Sequence, residues 1–154
     1  MKQLILVLSI FIISSVNIAN AQDKADDILD TYLTADAKAH VRIYKTTKGK
    51  YAGKIVWLKE PLNEAGEPKK DIENPNAELR DRKKMGLVIL RNFEFDVKDN
   101  EWTGGTIYDS RSGKTYTAYM WFEEDSNQET LNIKGYVMGL TFLGKTSQWR
   151  VVKE

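Results

Sequence analysis

Acidic side chains are the residues of this chain whose chemistry could support hydrolysis. Asp71 and Glu73 lie in a proline-containing stretch, and Asp96, Asp99 and Asp109 lie at apparent turns. A glycosidase needs two such carboxyl groups facing each other across a cleft. Their positions in the sequence do not indicate that any two of them face each other. We therefore favour the interpretation that they are solvated charges at turns. A carboxylate hydrolase is kept as the third of three functional hypotheses.

Metal and cofactor chemistry have few candidate residues. The sequence has no Cys, and its single His, His40, excludes a two-His metal site within one chain. We interpret His40 as structural, because neither a Ser nucleophile nor an acidic partner adjoins it. Gly104 and Gly105 fall inside a strand pattern with no helix after them, which indicates a bulge rather than a phosphate-binding turn. We therefore predict no cofactor and no metal.

Polar residues that could bind a ligand surround one long break in the strand pattern. Residues 59–84 contain all three prolines and many charges, and loops of this length are often functional. We predict that the loop covers one mouth of a barrel, with Asp71, Asn74 and an arginine, Arg80 or Arg82, near Tyr108 or Asp109. The predicted ligand-binding set is Asp71, Asn74, Arg80, Tyr108 and Asp109, with Trp57 and Trp102 as apolar walls. The alternative is that the loop residues only pair with each other and hold the loop down.

An aromatic and cationic pair near the C-terminus indicates structural closure. Trp149 precedes Arg150, and a guanidinium can stack on an aromatic ring and cap one end of a barrel. Tyr32 is the predicted partner ring, so we assign Tyr32, Trp149 and Arg150 to closure.

The elements that would position these residues follow from the apolar periodicity. A short helix is predicted over residues 26–33. Strands with alternating or β-branched character are predicted at 41–44, 51–58, 85–90, 93–97, 101–109, 115–122, 130–136 and 141–152. Tight turns and the lack of crossover helices favour an all-β, antiparallel sandwich or up-and-down barrel of about eight strands. Glycines within the strands favour the curved barrel.

The first 21 residues have the three parts of a secretory signal peptide. Lys2 supplies positive charge, residues 4–13 are mostly apolar, and Ala19 and Ala21 form a small-x-small cleavage pattern. The apolar run is shorter than the ~20 residues that span a bilayer. We predict cleavage before Gln22, a single domain over 22–154, a periplasmic or secreted location and no stable membrane insertion afterwards. The net charge of +1, with interspersed signs, argues against a nucleic-acid partner.

Several segments together resemble a known family of small exported bacterial proteins, the domain-of-unknown-function family 2147. The segments are 41–44 (VRIY), 53–61 (GKIVWLKEP), 74–76 (NPN), 86–90 (GLVIL), 102–109 (WTGGTIYD), 113–116 (GKTY) and 144–150 (GKTSQWR). The resemblance implies a lipocalin-like, calycin-type antiparallel barrel. It implies no reaction, because the family has no established activity.

Three functions are compatible with this sequence. The leading hypothesis is a non-enzymatic exported barrel that binds a small molecule, an envelope component or a peptide, since barrels of about eight strands can hold one small ligand. The second is a structural or interaction protein of the envelope, and the third is the carboxylate hydrolase. A large, partly polar cavity would favour the first, whereas a filled barrel with an exposed apolar patch would favour the second.

Overall fold

The chain folds into a closed antiparallel barrel, described here from a computed structural model over residues 24–137 and 140–153. Each strand pairs with its neighbours in sequence, and β8 returns to β1. The strands are β1 (Thr31–Leu33), β2 (Ala39–Lys45), β3 (Tyr51–Leu58), β4 (Val88–Asp96), β5 (Glu101–Asp109), β6 (Lys114–Phe122), β7 (Thr130–Tyr136) and β8 (Lys145–Val151). The predicted all-β, up-and-down barrel with a short N-terminal helix is confirmed.

The predicted signal peptide, residues 1–21, and its cleavage site before Gln22 lie outside the described residues. Among the helical segments that the structure describes, none is both long and apolar enough to cross a membrane.

The predicted helix over 26–33 was wrong in its extent. Helix covers only residues 24–26 of the described chain, and Thr31–Leu33 forms β1. Tyr32 pairs with Val41 of β2 and with Val151 of β8. The helix-like spacing of apolar residues is overridden because this segment supplies the strand that closes the barrel.

Two predicted strands, 85–90 and 93–97, are one strand in the structure. β4 pairs with β5 on both sides of the predicted break, through Leu90 with Ile107 and through Glu94 with Thr103. Asn92 has a left-handed backbone with φ 65°, which interrupts the alternation without ending the strand. The predicted last strand also begins later, because Thr141–Leu143 is a 3-10 turn.

One end of the barrel is filled by aromatic side chains and the N-terminal segment. The Trp102 indole Nε1 donates a hydrogen bond to the Ala25 carbonyl at 2.9 Å. The Tyr32 hydroxyl donates to the Ile28 carbonyl at 3.1 Å, and both side chains are fully buried. Burial raises the pKa of Tyr32 well above its usual value. We call this end the closed end.

Two adjacent glycines shape β5 beside this filled region. Gly104 adopts φ 71°, and the β5–β6 register shifts between Trp102 and Gly105. A Cβ atom at Gly105 would overlap the Phe93 ring, which is fully buried. The predicted bulge and close backbone approach are therefore both present.

Candidate functional site

The opposite end of the barrel is open and leads into a cavity of about 1260 Å³. Its inner wall is apolar and includes Ile55, Ile89, Ile107, Ile133 and Trp149. These side chains come from five different strands, which each turn an alternate position inward. The barrel is thus filled at the closed end, and at the open end a wide-mouthed cavity reaches down to side chains that are themselves largely buried.

The cavity also opens sideways, between β8 and the β1–β2 loop. β1 has only three residues and pairs with β8 through Val151 and Arg150. The first part of β8, from Lys145 to Trp149, has no partner on that side in this register. Residues 34–38 and 146–150 both line the cavity there. The opening at the mouth is therefore wider than the ring of strand ends alone.

Charged residues at the mouth are predominantly basic. Among the described residues, the lining contains seven cationic side chains and three acidic ones. The cations are Lys38, Lys59, Lys69, Lys84, Arg111, Lys145 and Arg150, and the acids are Asp36, Glu60 and Asp109. The surplus of four positive charges contrasts with a net charge of +1 for the whole chain.

All three acids at the mouth are already paired. Glu60 accepts a hydrogen bond from Lys69 at 3.1 Å, which lowers the pKa of Glu60. Arg111 contacts Asp109 at 2.9 Å and Asp36 at 3.4 Å. Burial alone would raise the pKa of Asp109, but the hydrogen bonds and charge of Arg111 outweigh it and lower the pKa. The lowered pKa values keep the carboxylates of Glu60 and Asp109 ionised.

The contact between Asp36 and Arg111 crosses the mouth. Asp36 lies in the β1–β2 loop and Arg111 in the β5–β6 turn, which are on opposite sides of an eight-stranded barrel. The Arg111 side chain is 72% exposed, and ion pairs in water are weak and screened by salt. The bridge can therefore open at little cost.

The predicted loop cluster assembles next to this mouth. Asp71 is fully buried and accepts hydrogen bonds from the Tyr108 hydroxyl at 2.7 Å, Asn74 Nδ2 at 2.8 Å and an Arg82 guanidinium nitrogen at 3.0 Å. Arg80 Nε donates to the Asn74 carbonyl at 2.8 Å. Burial and the bond to Asp71 raise the pKa of Tyr108 to about 12. The predicted proximity of Asp71, Asn74 and an arginine to Tyr108 is confirmed.

This cluster holds the long loop against β5 more than it faces the cavity. Tyr108 and Asp109 belong to the cavity lining, whereas Asp71, Asn74 and Arg80 do not. Their hydrogen bonds go to each other, to the loop backbone and to the Tyr108 hydroxyl of β5. The geometry favours the alternative in which they hold the loop down, and their role in ligand binding stays a prediction.

Further contacts fix the loop on the β5–β6 turn. Gly113 has φ 69°, and a Cβ atom there would overlap the Glu73 carbonyl. Lys84 Nζ donates to the Ser110 carbonyl at 3.0 Å. The loop backbone therefore packs directly on the turn that carries Arg111.

The two tryptophans predicted as cavity walls lie elsewhere. Trp57 is 39% exposed and packs on His40, with ring centroids 4.3 Å apart. His40 and Trp57 are direct partners in the β2–β3 register, which places their rings side by side. Trp102 belongs to the closed end, where Ala25 accepts its N–H hydrogen bond. The inward isoleucines and Trp149 form the wall in their place.

The closure predicted for Tyr32, Trp149 and Arg150 also takes another form. Tyr32 is buried at the closed end, whereas Trp149 lines the cavity and donates to Ser147 Oγ at 3.0 Å. Arg150 is exposed and lies opposite Leu33. The cation–ring contacts of the described residues involve Lys45 and Lys54 instead. Trp102 and the N-terminal segment close the barrel.

Sequence reasoning missed the rim lysines. Lys59 directly follows β3, Lys84 lies shortly before β4, and Lys145 begins β8. In an up-and-down barrel, the odd-numbered strands end and the even-numbered strands begin at the same end of the barrel. That rule would have placed Lys59 and Lys84 together at one mouth.

Within the described residues, no three His, Asp or Glu side chains come together as metal ligands.

Comparisons with known proteins agree with this architecture. A solved structure described as "Protein HP1028 from the human pathogen Helicobacter pylori belongs to the lipocalin family" is similar over 82% of this chain and 84% of that chain. The identity is 24% and the TM-score is 0.67, which shows a lipocalin-like fold. No curated protein matches the sequence. The model of the family described as "Uncharacterized protein conserved in bacteria (DUF2147)" matches residues 30–151, and the chain therefore belongs to that family.

Proposed function

We propose that this protein is a non-enzymatic binding module that holds a small molecule with an apolar body in the open end of its barrel. The observation that carries the proposal is the cavity of about 1260 Å³ with isoleucines from four strands on its wall. Ligand sites combine such apolar walls with a few polar groups at the entrance. Each methylene that leaves water contributes ~0.8 kcal/mol, so affinity should rise with the length of an alkyl ligand.

The mouth carboxylates support binding over hydrolysis. A general acid in a glycosidase needs a raised pKa. The pKa values of Glu60 and Asp109 are instead lowered by their cationic partners. Their place in the structure is that of ion-pair partners at an entrance.

The second hypothesis, an interaction protein of the envelope, draws on an exposed apolar segment. Val137, Leu140, Phe142 and Leu143 are exposed between β7 and β8, and Phe142 is 76% exposed. Val137 and Leu143 also line the cavity. Because the segment borders the mouth, we assign it to the ligand entrance.

Binding of Nile red, a neutral apolar dye, tests the proposal. Ile107→Trp places a larger side chain in the cavity and should abolish the fluorescence increase. Val97→Trp is the matched control, since Val97 is exposed in the β4–β5 turn at the closed end. Circular dichroism verifies that both variants fold. Absence of dye binding to the unmodified protein, or equal binding by Ile107→Trp, would refute the proposal.

The proposed compartment is the periplasm or the exterior, after export. Its support is the charged, apolar and small-x-small pattern of residues 1–21. The intact mass of protein recovered from its own cells should correspond to a chain that begins at Gln22. A full-length species embedded in the membrane would refute export with cleavage.

A further inference from the structure

We propose that the ligand is an anionic amphiphile, with its carboxylate or phosphate head at Lys59, Lys84 and Lys145 and its apolar chain in the cavity. This inference rests on the proposed function and names the class of ligand for the same site.

The rim carries more positive charge than its three acidic side chains compensate. Asp36 and Asp109 are paired with Arg111, and Glu60 with Lys69. Among the described residues, no ion pair engages Lys59, Lys84 or Lys145, all three of which line the cavity. A cluster of like charges is unfavourable by self-repulsion. An anion at the rim would relieve that cost.

The lysines lie where a head group would sit above an apolar chain. Lys145 pairs with Gly135, and two residues further along the same strands Ser147 pairs with Ile133. Side chains two positions apart share a face. At a rise of ~3.3 Å per residue, Lys145 therefore lies about 7 Å closer to the mouth than Ile133. Lys59 directly follows Leu58 at the end of β3, and both residues line the cavity.

Lys84 is already positioned for such a contact. Its ammonium donates one hydrogen bond, to the Ser110 carbonyl at 3.0 Å. An ammonium group has three donors, so further donors are free to bind an anion. The Ser110 bond fixes the side chain on the mouth side of the β5–β6 turn.

Two of the three turns at the closed end carry the opposite charge. Residues 96–101 and 123–129 contain seven acidic side chains and one cation, Lys98, whereas the third turn carries Lys48 and Lys50. The surplus of positive charge that lines the mouth attracts approaching anions. A cationic ligand would be repelled there.

Three probes with the same alkyl chain separate head-group recognition from apolar binding. Dodecanoate, dodecyl phosphate and dodecanol are titrated against the protein below their aggregation limits, by displacement of Nile red, at low and high salt. One exposed charge pair at ~4 Å is worth about fivefold in affinity. We therefore expect at least one anionic probe to bind ten- to a hundredfold more tightly than dodecanol at low salt. High salt should reduce that ratio.

Single lysine variants assign the preference to the rim. Lys145→Gln and Lys59→Gln should each reduce the ratio of anion to alcohol affinity about fivefold. Lys98→Gln, at the closed end, is the matched control and should leave the ratio unchanged. The stronger of the two anionic probes identifies carboxylate or phosphate as the preferred head.

The outcomes separate a failure of this inference from a failure of the proposed binding function on which it rests. Equal affinity for dodecanol and both anions overturns the anionic head while the binding function stands. Failure of all three probes and of Nile red overturns both. An effect of Lys98→Gln as large as that of Lys145→Gln also overturns the rim assignment, because it would reflect net charge alone.

Discussion

Removal of the Asp71 carboxylate tests whether residues 59–84 are latched to the barrel. The carboxylate is fully buried and accepts hydrogen bonds from Tyr108, Asn74 and Arg82. Asp71→Ala leaves a hydroxyl, an amide and a guanidinium without that acceptor. The loop would then be held to β5 by far fewer polar contacts.

The expected loss in the free energy of unfolding depends on whether each donor finds another hydrogen-bond acceptor. Hydrogen bonds to a charged group contribute ~1.5–3 kcal/mol each, but the three losses do not add. Asn74 Nδ2 already lies 3.2 Å from the Tyr108 hydroxyl, and the Arg82 side chain is 38% exposed and can hydrate. We therefore expect Asp71→Ala to lower the free energy of unfolding by about 3 kcal/mol, or ~10 °C in Tm.

Thermal and urea unfolding, followed by circular dichroism, measure this loss. Asp81→Ala is the matched control, because Asp81 lies in the same loop, pairs with Lys70 at 2.9 Å and has a side chain 92% exposed. Exposed pairs of this kind contribute little. Equal losses in the two variants would refute the latch. Loss of Nile red binding by folded Asp71→Ala would return Asp71 to the ligand-binding set.

Three further perturbations test other parts of the structure. The pKa of Tyr108 is raised from 10.0 to about 12, so its contribution is present below pH 10 and is lost as pH rises toward 12. The Tm difference between the unmodified protein and Tyr108→Phe should shrink over that window, and a constant difference would contradict the shift. Gly105→Ala should cost about 1–3 kcal/mol in urea unfolding, because its Cβ overlaps the Phe93 ring; an unchanged midpoint would count against this packing. Asp36→Asn removes the ion pair with Arg111 and should accelerate the release of Nile red, measured by stopped-flow fluorescence. The free energy of unfolding should fall by at most ~1 kcal/mol. An unchanged release rate would mean that the ion pair does not limit exit of the ligand.

Local alternation predicted most of the strands because most of them meet only their sequence neighbours. The predicted ranges 51–58, 101–109 and 130–136 coincide with β3, β5 and β7. β1 was not predicted, because it has only three residues and one of its two partners, β8, lies at the far end of the chain. Barrel closure is a long-range property that no local pattern encodes.

Part of the site was predictable from loop length and polarity. The loop brings Asp71 and Asn74 to Tyr108, as its position between β3 and β4 suggested. Sequence could not decide between two arginines two residues apart, and Arg82 contacts the carboxylate while Arg80 contacts a backbone carbonyl. That choice depends on the turns within the loop.

The two misplaced tryptophans have different physical causes. Trp102 faces the core, but it lies at the start of β5 and therefore at the closed end. Trp57 lies beside the register shift between His40 and Val41, and a bulge inserts a residue and changes which positions face inward beyond it. Strict alternation along β3 therefore fails at Trp57, although Ile55 of the same strand lines the cavity.

The two ends of the barrel divide stability and binding between them. Trp102, Tyr32 and Phe93 are buried on the closed side, and the Asp71 network fixes the long loop from the outside of the cavity. The β1–β2 loop and the β5–β6 turn are instead bridged across the mouth by an exposed ion pair, Asp36 with Arg111. Such a contact is weakened by salt, whereas buried packing is not. Added salt should therefore alter ligand exchange and anion preference at concentrations that leave the Tm nearly constant, and a parallel loss of both would mean that the mouth and the fold are not independent.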